Sequence, residues 1–176
     1  ATEVLPAILT GLGIDAPILI GHSDGASIAL LHAAGHRVDG VVAIAPHVFV
    51  EPETRAGVAA AVARFESGEL AARLALFHQD PRTVFRSWAD TWRSEGFAGW
   101  NIEACLSSVT CPVLLMQGSD DEYGTLAQLD AISAHVSGPD SRTVLEGCGH
   151  SPHLECPSTT SRRIAEFVDS LMPGPS

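Results

Sequence analysis

Four apolar runs divide the chain: Pro17 to Ile20, Val38 to Ala45, Cys111 to Gln117 and Arg142 to Glu146. Each is short enough for a strand, and Val38 to Ala45 (VDGVVAIA) is the continuous kind buried on both faces of a parallel sheet. Helical spacing fills the intervals. Val4, Leu5, Ile8 and Leu12 recur with that period and Gly13 can end the helix; a second helix is expected over Asp24 to Ala34, stopped by Gly35. Thr125 to Val136 reads as another, and Pro157 to Leu171 closes the series with Ile164, Phe167, Val168 and Leu171 on one face. Strands alternating with helices predict an α/β fold of four parallel strands in sequence order, joined by right-handed crossovers.

Residues 48–105 break this rhythm. Strand signals stop, and helical patterns cover Pro52 to Glu66, Glu69 to His78 and Pro81 to Glu95, separated by Gly68, Asp80-Pro81 and Gly96 to Gly99. Phe85, Trp88 and Trp92 form an i, i+3, i+7 stripe, and Trp100, Phe65, Phe77 and Phe97 also fall in this segment. The expected organisation is therefore a core of residues 1–47 and 106–176 with a helical insert at 48–105. The aromatics serve either to pack the insert onto the sheet or to line a pocket beneath it.

The run at Pro17 leads into Gly21-His22-Ser23-Asp24-Gly25, and a small-residue helical run leads out. G-x-S-x-G between a strand and a helix is the context of a nucleophile elbow, a turn so tight that Gly21 and Gly25 are expected to be required by close approach. It would expose Ser23 at the strand's C-terminal end, over a helix N-terminus that favours negative charge. A serine hydroxyl needs a base, and the base an orienting acid. Acid candidates, Asp120 and Asp121, follow the third strand in Gln117 to Tyr123; base candidates, His150 and His153, follow the fourth in Gly147 to His153. All lie at C-terminal strand ends, where open α/β sheets place their sites.

GHSDG at Gly21 to Gly25, G-x-x-D at Gly118 to Asp121 and G-x-G-H at Gly147 to His150 resemble the α/β-hydrolase family along essentially the whole chain. The SDG form of the elbow looks most like the valacyclovir-hydrolase and biphenyl-hydrolase-like esterases. The resemblance selects Ser23, Asp121 and His150 as a catalytic triad, and the backbone N–H of Asp24 as an oxyanion-hole donor. It implies a serine hydrolase acting on a small carboxylic ester or related acyl substrate, without metal or cofactor. A carbon–carbon bond hydrolase with the same triad, and a non-catalytic remnant, are the alternatives. The Asp24 carboxylate either caps the helix dipole or, as the esterase resemblance implies, attracts a cationic substrate group. His47, after the second strand, is a packing or a substrate-contacting residue; with Asp24, Trp88 and Trp92 it completes the substrate-binding candidates, and the insert corresponds to the family's lid. The chain begins with a helix where the family has further strands, including the loop that carries a second oxyanion donor. A missing N-terminal segment, an exposed strand at Pro17 to Ile20, self-association and low activity of residues 1–176 alone are expected.

Composition narrows the partners. Hydrophobic residues make up 45% and charged residues 18% of the 176, the profile of a globular domain. A net charge of −11 argues against nucleic acid and anionic membranes, and no apolar run approaches a membrane span. No basic segment followed by an apolar one opens the chain, so no secretory signal is read. Cys105, Cys111, Cys148 and Cys156 form no C-x-x-C pair; free thiols in a cytoplasmic enzyme are expected, although Cys148 and Cys156 can bridge across the His150 loop. Pro173 to Ser176 is expected to be disordered.

Overall fold

The computed structural model describes residues 2–172; the tail at 173–176 lies outside them. In chain order the elements are α1 (Val4–Leu12), β1 (Ile18–His22), α2 (Asp24–Ala33), β2 (Gly40–Ile44), α3 (Pro52–Glu66), α4 (Glu69–Leu74), α5 (Pro81–Arg93), α6 (Glu103–Leu106), β3 (Val113–Gly118), α7 (Ala127–His135), β4 (Asp140–Leu145), α8 (Pro152–Glu155) and α9 (Pro157–Leu171). The four strands form one parallel sheet in the order β1-β2-β3-β4, with Ile20 opposite Val42, Val42 opposite Leu114 and Leu114 opposite Ser141.

Side-chain alternation builds two apolar layers on this sheet. Val41, Ala43, Val113 and Leu115 point to one face and pack with Ala26 and Leu30 of α2 and Leu129 and Ile132 of α7. Val42, Ile44, Leu114 and Met116 point to the other and meet Ile164 and Phe167 of α9. β2 and β3 are buried along their whole length, each large side chain contributing about 1.5–3 kcal/mol. The result is a rigid central pair whose C-terminal ends carry the loops that matter below.

The 48–105 insert is helical, as its periodicity predicts, and its ends are stitched together. Phe49 and Asn101 form an antiparallel bridge, and the Ile102 N–H donates to the Val48 carbonyl at 2.8 Å. Val58, Ala61, Phe85, Ala89 and Trp92 make its separate core, in which the Phe65 and Phe85 rings stack at 4.1 Å. Buried Gln128 and Glu51 tie it to α7: the Gln128 amide donates to Glu51 Oε2 at 2.7 Å, and its oxygen accepts from the Val48 N–H at 2.8 Å.

β1 is an edge strand in this sheet, and Ile20 on it is 54% exposed; α1 leaves Val4, Ile8 and Leu12 exposed as well. Unpaired edges with apolar side chains template association. The chain is therefore expected to sediment as oligomers, and Ile20→Lys to shift it toward monomer. A monodisperse monomer at micromolar concentration would remove the edge from consideration.

Candidate active site

β1 ends at His22, α2 begins at Asp24, and Ser23 alone makes the turn, with φ 55° and ψ −123°. A non-glycine residue held there is strained, and here the surrounding structure enforces it. The Ser23 N–H donates to the Ile44 carbonyl at 2.9 Å, and the Ser23 carbonyl accepts from the Ala26 N–H at 2.9 Å. The glycine requirement is one-sided. A Cβ on Gly21 would run into the Gly25 carbonyl and the Ala26 nitrogen, whereas one on Gly25 would meet nothing within 4 Å. The expectation that both glycines are needed is corrected accordingly: it is Gly21 that lets the helix fold back on the strand.

The loops after β3 and β4 converge on the turn. His150 Nε2 lies 2.9 Å from Ser23 Oγ, and His150 Nδ1 lies 2.9 Å from Asp121 Oδ1. Asp121 is fixed from three sides. Its Oδ1 also accepts from the Tyr123 N–H at 2.9 Å, and its Oδ2 from the Gln117 amide at 3.2 Å, itself anchored on the Gly124 carbonyl at 2.7 Å. Burial pushes the Asp121 carboxyl up, but the hydrogen bond and charge of His150, with the Tyr123 N–H, outweigh it and hold the group below its ordinary value. A carboxylate so held fixes the proton of His150 on Nδ1 and leaves Nε2 free to accept from Ser23. Asp120 instead faces solvent and accepts from the Ser119 hydroxyl at 2.9 Å. His153 is exposed, with its ring edge-on to His22 at 4.6 Å.

The His150 loop is closed covalently. Cys148 and Cys156 are joined as a disulfide, which corrects the expectation of four free thiols. The short α8 turns the chain back after His150 and brings the two Cα atoms to 6.5 Å, within bridging range. Cys105 and Cys111 remain free, and burial pushes both thiols up. Alkylation of the unfolded, unreduced chain should therefore add two groups and alkylation after reduction four, as read by intact mass. Four without reductant would remove the bridge.

The sequence model of the Alpha/beta hydrolase family matches residues 1–163. The chain belongs to the α/β-hydrolase family. Among curated proteins none matches it. Among solved structures it is similar to VinJ, at 22% identity and TM-score 0.67, over 96% of this chain and 71% of that one. It is similar to 2-hydroxy-6-oxo-6-phenylhexa-2,4-dienoate hydrolase from Rhodococcus sp. strain RHA1, at 18% identity and TM-score 0.67, over 94% of this chain and 68% of that one. It is also similar to Est816, an N-acyl homoserine lactone degrading enzyme, at 23% identity and TM-score 0.65, over 93% of this chain and 71% of that one. At these identities the likeness is one of fold.

In this α/β-hydrolase the remaining site candidates line two clefts. One, of about 560 Å³, lies over Ser23 and is bordered by His22, Asp24, His47, Trp88, Trp92, Tyr123 and His150. The other, of about 590 Å³, runs between α2 and α5 and is lined by Ile28, Leu31, Trp88, Trp92, Phe97 and Trp100, with Asp24 at its rim. Asp24 thus borders both. Its Oδ2 accepts from the Trp92 indole N–H at 3.5 Å, and burial, partly opposed by that bond and by His150, raises its carboxyl above the ordinary value. His47 is buried edge-on against Trp92, its ring 5.2 Å away, and its Nδ1 has no hydrogen-bond partner among the described residues. Burial chiefly, with His150 nearby, lowers its pKa to about 4, so it is neutral at ordinary pH. Among the described residues no group of three or more His, Cys, Asp or Glu is arranged to hold a metal ion, and no helix is long and apolar enough to cross a membrane.

Sequence reading passed over three residues of the site. Tyr123 stands against His150 with ring centroids 4.6 Å apart, Gln117 donates to Asp121, and His22 reaches the His150 backbone. Tyr123, the chain's single tyrosine and two positions from Asp121, was the one with a usable signal.

Proposed function

We propose that the protein is a serine hydrolase that cleaves a small carboxylic ester or related acyl substrate through an acyl-enzyme. One observation carries the reading: the unbroken chain of hydrogen bonds from Ser23 Oγ to His150 to Asp121, each 2.9 Å. Ser23 Oγ attacks the carbonyl carbon as its proton passes to His150 Nε2, and Asp121 stabilises the imidazolium without taking a proton. The oxyanion forms against the Asp24 N–H at the start of α2. The imidazolium then protonates the leaving alcohol as the carbon–oxygen bond breaks. Water, giving its proton to His150, attacks the acyl-Ser23 ester and releases the acid, restoring Ser23. The 48–105 insert acts as a lid whose tryptophans receive the acyl group.

A fluorophosphonate probe tests this. The full-length protein should be labelled at Ser23 alone and should hydrolyse short p-nitrophenyl esters. Labelling elsewhere, or not at all, would overturn the assignment. Turnover of a vinylogous diketone in place of esters would transfer the same triad to carbon–carbon bond cleavage.

Substrate choice is read at Asp24. Its carboxylate faces Trp92 and the clefts, which favours contact with a cationic substrate group over a purely helix-capping role. Asp24→Asn is expected to lower kcat/KM about tenfold or more for amino-acyl esters and little for neutral esters of equal size. Equal losses on both would return Asp24 to helix capping.

A further inference from the structure

The Ser23–His150 hydrogen bond cannot hold the imidazole throughout a catalytic cycle. Once Ser23 is acylated its Oγ has no proton to donate, yet His150 must stay in place to take a proton from the incoming water. Most hydrogen bonds on the His150 loop run to its own flank or to the acid loop. The Gly149 and Ser151 N–H groups donate to the two oxygens of Glu155 at 2.7 and 2.8 Å, and the Gly147 N–H donates to Ser119 Oγ at 2.8 Å. The His150 N–H reaches Glu122 Oε2 at 3.3 Å, and the Cys148 carbonyl accepts from the Asp120 N–H at 2.9 Å. None of these refers the base to the strand that carries Ser23.

His22 does. It immediately precedes Ser23 at the end of β1, and its Nε2 lies 2.7 Å from the His150 carbonyl oxygen, across 128 residues of sequence. A carbonyl only accepts, so the His22 ring carries its proton on Nε2 and donates. His153 packs edge-on at 4.6 Å against the same ring, and burial lowers the His22 pKa, keeping it a neutral donor. We infer that His22 is a positioning residue: its N–H tethers the backbone of the base to the nucleophile strand and keeps His150 in register while Ser23 is acylated. The inference rests on Ser23 and His150 acting as nucleophile and base. The tether matters least for acylation, when the Ser23 hydroxyl itself holds the ring, and most for deacylation, when it cannot.

The test is pre-steady-state hydrolysis of a p-nitrophenyl ester by the full-length protein, with acylation and deacylation rates read separately, for His22→Leu, His22→Asn and His22→Gln. Glutamine places its Nε2 the same number of bonds from the backbone as histidine does, whereas asparagine falls one bond short. His22→Leu and His22→Asn should slow deacylation roughly ten- to a hundredfold, the scale of a small misplacement of a catalytic group, and acylation much less, so that acyl-enzyme accumulates. His22→Gln should restore deacylation to within about threefold. Equal slowing of both steps, or no slowing, in the folded Leu and Asn variants would overturn the tether, as would a Gln variant no better than Asn. Failure of the unsubstituted protein to form any acyl-Ser23 would instead overturn the triad, and the tether with it.

Discussion

Ser23→Ala is expected to abolish fluorophosphonate labelling and to lower ester hydrolysis by roughly 10⁴ to 10⁶, the range seen when a member of a concerted triad is removed. His150→Ala should cost about as much, because a hydroxyl without its base is a poor nucleophile. The acid is the sharper discriminator. Asp121→Asn keeps the shape but replaces one acceptor oxygen with a donor, so it no longer fixes the His150 proton on Nδ1; a loss of roughly 10⁴ in kcat is expected. Asp120 touches Ser119 and solvent, and Asp120→Asn should stay within about threefold of the unsubstituted enzyme. His153→Ala should likewise leave most activity, since that ring meets His22 and not Ser23. A large loss in Asp120→Asn beside a mild one in Asp121→Asn would mean that the loop after β3 turns one residue earlier in solution.

Much of the scaffold was legible because its elements are long or uniformly apolar. α3 and α9 run over the residues their periodicity predicts, and the four strands fall in the expected order. Errors collect where packing, not pattern, sets the boundary. The second ladder begins at Gly40 and not at Val38, and at Gly40 the Leu171 side-chain tip occupies the space a Cβ would take. β4 starts two residues earlier than its apolar run because Asp140 and Ser141 pair with β3 while facing solvent. α4 stops at Leu74, short of the expected His78, and leaves Leu76 and Phe77 exposed with no face to pack. α8 is only four residues long, too short for a period to register, so the sequence left the Cys148–Cys156 bridge as the alternative to free thiols. The resemblance to the family's motifs singled out Ser23, Asp121 and His150, which the structure brings within hydrogen-bonding distance. It carried no signal for His22, whose partner is a backbone carbonyl.

The motif glycine with the largest structural consequence is Gly118, and Gly118→Ala is expected to damage both the fold and the chemistry. Gly118 ends β3 opposite Leu145, where β4 gives way to the His150 loop. Its backbone needs no left-handed conformation; what it needs is room. A Cβ there would collide with the carbonyls of Cys148 and Gly149 and with the Cys148 carbonyl carbon. These are backbone atoms of a bridged loop and cannot swing aside as a side-chain tip can. The same close approach lets the Ser119 N–H reach the Leu145 carbonyl and the Asp120 N–H the Cys148 carbonyl, each at 2.9 Å. A methyl group at Gly118 therefore pries the acid loop from the base loop. Overpacking of this kind costs about 1–3 kcal/mol, read as a lower melting temperature. Displacing His150 by as little as an ångström should slow fluorophosphonate labelling of Ser23 roughly a hundredfold. Gly99→Ala is the matched control, since a Cβ there meets nothing within 4 Å and should change neither quantity appreciably. Unchanged melting and labelling in Gly118→Ala would mean that the two loops do not pack as closely as described, and that the Asp121–His150 hydrogen bond is held by something other than the meeting of these strand ends.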